Sequence, residues 1–228
     1  MISAISTLNL IGVRSSLSGS KTNPESQHHA EKDVLKMLRE TGAVLEGHFK
    51  LSSGRHSDFY IQCALALQHP EVGEALGRSL AALYATGVKS GGADSPVDVV
   101  IGPALGGILV SYEVARALGV RSLFAERQGT ELTLRRGFAM KRGERVLVVE
   151  DVITTGGSVR EVISLVRDAE AVVVGVGCIV DRSGGRGRFD VPVFSLVSVE
   201  ARDYDPVSCP LCAMGIPLTK PGSRPDAV

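Results

Sequence analysis

Tryptophan is absent from this 228-residue chain, and aromatic residues make up only 4% of it. Unpaired nucleic acids are held largely by stacking bases on aromatic rings, so such a chain is poorly equipped for that task. An excess of charge is missing too: Lys and Arg number 25, and Asp and Glu number 25. Without a global field to attract nucleic acid or an anionic membrane surface, any anion site must be local. No apolar stretch approaches the length that spans a bilayer, so no membrane segment is expected. The four cysteines lack the regular spacing of a disulfide framework, which points to a reducing, cytoplasmic compartment. What the chain does have is 44% hydrophobic residues, enough for the well-filled core of one α/β domain with extensions.

The most informative segment is Glu150-Asp151-Val152-Ile153-Thr154-Thr155-Gly156-Gly157-Ser158. Before it runs Arg145-Val146-Leu147-Val148-Val149, which reads as a buried parallel strand. After it, the apolar residues of the segment 159–166 recur at helical spacing. The order is strand, acid pair, Thr/Gly/Ser turn, helix. Consecutive small residues leave backbone N–H groups converging at the positive end of a helix, a place for a phosphate. The acids stand at the carboxyl end of the strand, where open α/β sheets hold their ligands. A phosphorylated sugar suits this pairing: the cradle takes its phosphate and the carboxylates its hydroxyls. A Walker loop is excluded because no Lys follows the glycines, and a dinucleotide fingerprint because acids follow the strand directly. An ordinary helix cap on an acidic strand end is the bland alternative.

This segment resembles the ribose-phosphate motif of the type I phosphoribosyltransferases. The resemblance implies that Glu150 and Asp151 hold the ribose hydroxyls of phosphoribosyl pyrophosphate, and that Val152, Ile153, Thr154, Thr155, Gly156, Gly157 and Ser158 form the loop that holds its 5′-phosphate. A second stretch, Gly102-Pro103-Ala104-Leu105-Gly106-Gly107-Ile108, is another glycine-rich strand-to-helix turn. In the family the equivalent loop contacts pyrophosphate, and many relatives carry Lys where this chain has Gly106. The hood segment Gly47-His48-Phe49-Lys50-Leu51-Ser52-Ser53-Gly54-Arg55-His56-Ser57 resembles the Gly-x-Phe-x-Leu-x-Ser-Gly-x-x-Ser element of the orotate branch, with Ser52 in place of a frequent Lys.

Two basic positions complete the implied site. Arg182 follows Asp181 at a strand end, ahead of Ser183-Gly184-Gly185-Arg186-Gly187, and its fork suits a carboxylate or planar carbonyl. The resemblance gives Arg182 and Thr154 the contact with orotate. Arg127 opens a charged stretch to Gly137 that reads as a hairpin or mobile flap. In orotate phosphoribosyltransferases this region closes over pyrophosphate, usually that of the neighbouring subunit, so a homodimer with shared active sites is implied. The family's Lys-rich, His-containing loop is missing, although Arg135, Arg136 and Lys141 supply charge. Mg²⁺ bridging pyrophosphate and ribose oxygens suits the hard oxygen donors.

Along the chain, helices are expected near residues 30–40, 70–86 and 108–118, and strands at 97–101, 120–125, 145–149, 171–181 and 193–199. This alternation predicts an α/β fold, a parallel sheet covered on both faces with a small N-terminal hood. The expected plan is a disordered extension over 1–28, a phosphoribosyltransferase domain over 29–205 including a hood over 29–68, and a tail over 206–228. The extension's early apolar residues are interrupted by Ser3, Ser6, Thr7 and Asn9, which disfavours a secretory signal, and Arg14 alone is too little for a transit peptide. Cys209-Pro210-Leu211-Cys212 has the spacing of half a zinc knuckle. A structural zinc generally needs four ligands, and Cys63 and Cys178 fall inside predicted elements. The pair is therefore read as a turn in the tail, with a metal role reached through a dimer's second copy as the alternative, and no protein metal ligands are assigned. The expected function is orotate phosphoribosyl transfer in pyrimidine biosynthesis. Alternatives are a phosphoribosyltransferase for another base, or a phosphoribosyl-pyrophosphate-sensing regulator, which would need a basic face or helix-turn-helix that is not evident.

Overall fold

The computed structural model describes residues 24–51, 53–90, 96–184, 187–199 and 203–221. Most of the expected N-terminal extension, together with Ser52, Gly185 and Arg186, lies outside the described residues. The elements begin with α1 (Pro24–Glu40), β1 (Val44–Lys50), β2 (His56–Ile61), α2 (Cys63–Leu67) and α3 (Pro70–Ser90). There follow β3 (Val99–Pro103), α4 (Gly106–Leu118), β4 (Arg121–Gln128) and β5 (Glu131–Leu134). The chain continues through β6 (Arg145–Ile153), α5 (Gly157–Asp168), β7 (Val172–Asp181) and β8 (Val193–Ser198) to β9 (Asp203–Tyr204) and α6 (Pro210–Ala213).

Six strands form the main sheet in the order β5-β4-β3-β6-β7-β8. All neighbouring pairs are parallel except β4 and β5, an antiparallel hairpin at one edge. Every residue of β3 is buried, as are Val146 to Val149 of β6. Apolar side chains pack on both faces, which is why these strands read as continuous runs rather than alternating ones. On one face Leu76, Leu80 and Tyr84 of α3 and Val110 and Val114 of α4 meet the sheet, with Val34 and Leu38 of α1 in the same cluster. On the other, α5 buries Val159, Val162, Ile163 and Val166, a single helical stripe. The smaller sheet, β1-β2-β9, is the expected hood.

Several elements run differently from the sequence reading. α1 begins at Pro24 rather than near Ala30, with proline at a first-turn position that needs no N–H. α3 continues to Ser90. α2 was not foreseen: five residues are too few to show a period, yet it buries Cys63, Ala66 and Leu67. Strand β6 does not stop at Val149, because pairing with β7 continues through Glu150↔Cys178 and Ile153↔Asp181. Both acids therefore belong to the strand itself. The charged stretch after Arg127 is the β4–β5 hairpin, turning at Gly129, which has φ +64°.

The Cys209–Cys212 segment is more than an isolated turn. It forms a 3-10 turn, Pro206–Ser208, and then α6, and lies against the hood with both thiols beside His48 and His56. Farther on, Thr219 bridges to β1: Lys50 N–H donates to its carbonyl at 2.8 Å, and its own N–H donates to His48 O at 2.8 Å.

Candidate active site

The ends of β6 and β3 and the start of α5 enclose a cleft of about 250 Å³. All residues from Glu150 to Ser158 line it, joined by Ala104, Val159 and Glu161. The local fold explains the cradle. Gly156 sits at φ +76°, where an L side chain is disfavoured, and a Cβ there would also lie 2.8 Å from the Phe189 ring. This left-handed residue turns the chain sharply into α5, which starts at Gly157 with no side-chain cap. The expected alternative, an ordinary capped helix, is thus not what is found. An uncapped N-terminus presents N–H groups without intrahelical partners to the cleft, at the positive end of the helix dipole.

Glu150 is buried and Asp151 half-buried, and Asp151 Oδ1 accepts the Val152 N–H at 2.9 Å. The second glycine-rich turn comes directly onto this carboxylate: a methyl group at Gly106 would fall 2.5 Å from Asp151 Oδ1. That is the physical reason a longer side chain has no place at Gly106. At Gly106 the turn therefore presents backbone to the Asp151 carboxylate.

Arg182 ends the neighbouring strand, its N–H donating to Ile153 O at 2.8 Å. Only 6% of the residue is exposed, and burial holds its guanidinium below the usual arginine range, partly offset by Tyr60, Asp203 and Asp58. The group stacks over Phe59 of β2 at 4.8 Å from the ring centroid. Its one hydrogen bond to the protein among the described residues is a long 3.5 Å contact from Nη2 to Phe59 O, and Nε has none. A buried cation without a carboxylate partner is costly. A ligand anion would compensate it.

Tyr60 was not singled out in the sequence. Burial raises its phenol pKa, the charge of Asp151 raises it further, and Arg182 pulls it down. It thus stands in the electrostatic reach of both the acid pair and the buried guanidinium. Only pairing of β2 against β1 brings Phe59 and Tyr60 to this edge, and no local pattern announces that.

Arg127 is at the rim rather than the floor. Its Nη1 and Nη2 donate to Glu161 Oε2 and Oε1, both at 2.9 Å, and Nη1 also meets Thr130 O. Glu161 lines the cleft, so the hairpin read as a mobile flap is here tied to the cradle helix of its own chain. Arg135 and Arg136, expected to supply charge, both lie against Glu126.

A family model for the phosphoribosyl transferase domain matches residues 67–211. The orotate phosphoribosyltransferase of Pelotomaculum thermopropionicum is 56% identical over 192 residues, covering 84% of this chain and 97% of that one. Among solved structures, orotate phosphoribosyltransferase from Aeropyrum pernix superposes with a TM-score of 0.58 at 28% identity, covering 72% of this chain and 93% of that one. The Mycobacterium tuberculosis enzyme, solved in complex with inorganic phosphate, gives 0.57 at 27% identity, covering 75% of this chain and 96% of that one. With a family model over most of its sheet and relatives more than 50% identical along most of its length, the chain belongs to the orotate phosphoribosyltransferases of the phosphoribosyl transferase domain family.

Proposed function

We propose that this chain joins orotate to phosphoribosyl pyrophosphate, releasing orotidine 5′-phosphate and pyrophosphate in pyrimidine biosynthesis, in the cytoplasm and with Mg²⁺. One observation carries the residue assignment: an uncapped helix start and an acid pair share a cleft, and a buried guanidinium without a carboxylate partner among the described residues closes the adjoining strand. The α5 N-terminus, with Thr154, Thr155 and Ser158, grips the 5′-phosphate. Glu150 and Asp151 orient the ribose hydroxyls. Arg182, with Thr154, holds the orotate carboxylate or ring carbonyls, and Arg127 screens pyrophosphate. As the glycosidic bond breaks, positive charge develops at the anomeric carbon and negative charge on the leaving group. Electrostatic positioning therefore matters more than a nucleophilic side chain.

The cleft lining offers carboxylate, hydroxyl and backbone groups and neither His nor Cys, a hard donor set that fits magnesium. Glu150 and Asp151 would hold the ion's shell together with substrate oxygens, and the ion would supply charge neutralisation for the leaving pyrophosphate.

The test offers orotate, uracil, hypoxanthine and adenine side by side, with and without phosphoribosyl pyrophosphate and Mg²⁺. Only orotate should be consumed, and only with both present. In Arg182→Ala, KM for orotate should rise roughly tenfold or more, as expected for losing a charged hydrogen bond of about 1.5–3 kcal/mol. KM for phosphoribosyl pyrophosphate should change far less. Consumption of a purine instead, or equal losses for both substrates, would sink the base assignment.

We also propose that the working unit is a homodimer with shared sites. Leu105, Leu109 and Tyr112 are strongly exposed and spaced along one side of α4 and its entry turn, next to Ala104 of the cleft. A second copy of the chain fits such an apolar stripe. Arg127 could then serve the neighbour, since opening an exposed pair such as Arg127–Glu161 costs only about 0–1 kcal/mol. Mixing inactive Arg127→Ala and Asp151→Asn subunits should restore about a quarter of wild-type activity, because random exchange gives mixed dimers with one intact site each. No recovery, with exchange verified by tagged pull-down, would show that Arg127 serves its own cleft.

A further inference from the structure

Four side chains from opposite ends of the chain converge outside the cleft: His48 of β1, His56 of β2, Cys209 just before α6 and Cys212 within it. Their potential donor atoms all lie within 4.8 Å of one another. His48 Nε2 is 2.9 Å from His56 Nδ1. Cys209 Sγ and Cys212 Sγ are each 3.6 Å from His48 Nε2, and Cys212 Sγ is 3.3 Å from His56 Nδ1. We propose that these residues form a structural zinc site that fastens the C-terminal segment to the hood.

The distances fit a tetrahedral ion. Bonds of about 2.0–2.1 Å to nitrogen and about 2.3 Å to sulfur place nitrogen and sulfur ligands roughly 3.5–3.6 Å apart and two nitrogens roughly 3.4 Å apart. Three of the four nitrogen–sulfur separations already match within a few tenths of an ångström, and the imidazoles need only a slight opening. The set Cys₂His₂ is closed, with no position left for substrate, as in structural rather than catalytic zinc sites. Mixed nitrogen and thiolate ligands in this shape favour zinc over magnesium or calcium, and two thiolates balance its charge.

The surroundings point the same way. His48 Nδ1 lies 2.8 Å from Ile216 O, so that nitrogen carries the proton and donates it to the carbonyl. The lone pair is thereby left on Nε2, the atom that faces the cluster. Such an outer hydrogen bond to backbone is the usual way a ligating imidazole is fixed in tautomer and orientation. His48, His56 and Cys209 are only 3%, 6% and 3% exposed.

The segment itself has little else to hold it. From residue 205 to 219, all but Cys209 and Leu211 are exposed, including Val207 at 96%, Met214 at 64% and Leu218 at 45%. A stretch that buries so little apolar surface needs another source of order. Metal binding supplies it, because binding energy at a site built from distant ligands is folding energy. The sequence reading missed the site because its histidines lie in the hood, far from the Cys-x-x-Cys pair in the chain.

The full-length protein should be expressed in zinc-supplemented medium, purified without chelator, dialysed and analysed for metal. About one zinc per chain is expected. After zinc is stripped, Co²⁺ should give the visible absorption of a tetrahedral thiolate-ligated ion, and neither metal should be retained by Cys209→Ser/Cys212→Ser or by His56→Ala. Hydrogen exchange of residues 205–219 in the wild type should accelerate on zinc removal and slow again on its return. Zinc far below one per chain together with no cobalt absorption in the wild type would overturn the proposal whatever the variants do. An intact mass lower by two hydrogens in freshly purified protein would overturn it too, since a Cys209–Cys212 disulfide removes both thiolates.

Discussion

The double substitution Glu150→Gln with Asp151→Asn is expected to lower kcat/KM at least a hundredfold while leaving the thermal transition nearly in place. Both acids line the cleft. Amides of the same shape keep the packing around them. Asp151 Oδ1 can still accept the Val152 N–H, so the strand end keeps its local bond. What disappears is charge, and with it the charge-assisted bonds to ribose hydroxyls and to the shell of a bound cation. At about 1.5–3 kcal/mol for each such bond, two losses amount to about 3 kcal/mol or more, somewhat over two decades in rate. Steady-state kinetics with both substrates, alongside a thermal melt, separates this from misfolding. A variant with near-native kcat/KM and an unchanged melt would mean the acids do not hold the sugar. A collapsed melt would mean they are structural.

Much of this site is legible in the chain because it is local. Strand, acids, turn and helix follow one another from Arg145 to Asp168, so a single segment fixes the cradle and its relation to the sheet. The parallel sheet is legible for a related reason: strands buried on both faces must be apolar throughout, and helices between them show their stripe. The hood is different. Phe59 and Tyr60 meet Arg182 only because β2 folds back along β1 and its edge approaches the end of β7, a relation no short window contains. Gly106 shows the limit from the other side. As a letter it is a missing lysine, whereas in space it is the room that the Asp151 carboxylate occupies. Arg127 was legible as a cation on a hairpin, yet its partner Glu161 lies one helical turn into α5, and the choice among acids is made by packing.

Gly102→Ala is expected to cost both stability and activity, and it tests how firmly the sheet aims the second glycine-rich turn. Gly102 lies in β3, the central strand, paired with Phe124 of β4. The chain leaves this strand, passes through Pro103 to Leu105 and folds back so that Gly107 rests on Gly102. A Cβ at Gly102 would lie 2.5 Å from Gly107 O, 2.9 Å from Gly107 C and 3.0 Å from Val149 O. All three are backbone atoms, so no side chain can swing aside. Either the strand shifts against β6 or the turn lifts off the sheet. Overpacking of this kind costs about 1–3 kcal/mol, and at roughly 2–4 °C per kcal/mol for a chain of this size the melting point should fall by about 2–12 °C. The turn carries Ala104 into the cleft and sets Gly106 against Asp151, so lifting it displaces the backbone groups assigned to pyrophosphate. Turnover should therefore fall more than tenfold even at temperatures where the variant is fully folded. Gly143→Ala is the control. It too places a Cβ on a glycine, at φ +78° but with nothing within 4 Å, so it should lose some stability through backbone strain and keep its turnover. If Gly102→Ala melted and turned over like the wild type, the turn would be free to yield, and the close fit between β3, the turn and Asp151 would not be what positions the site.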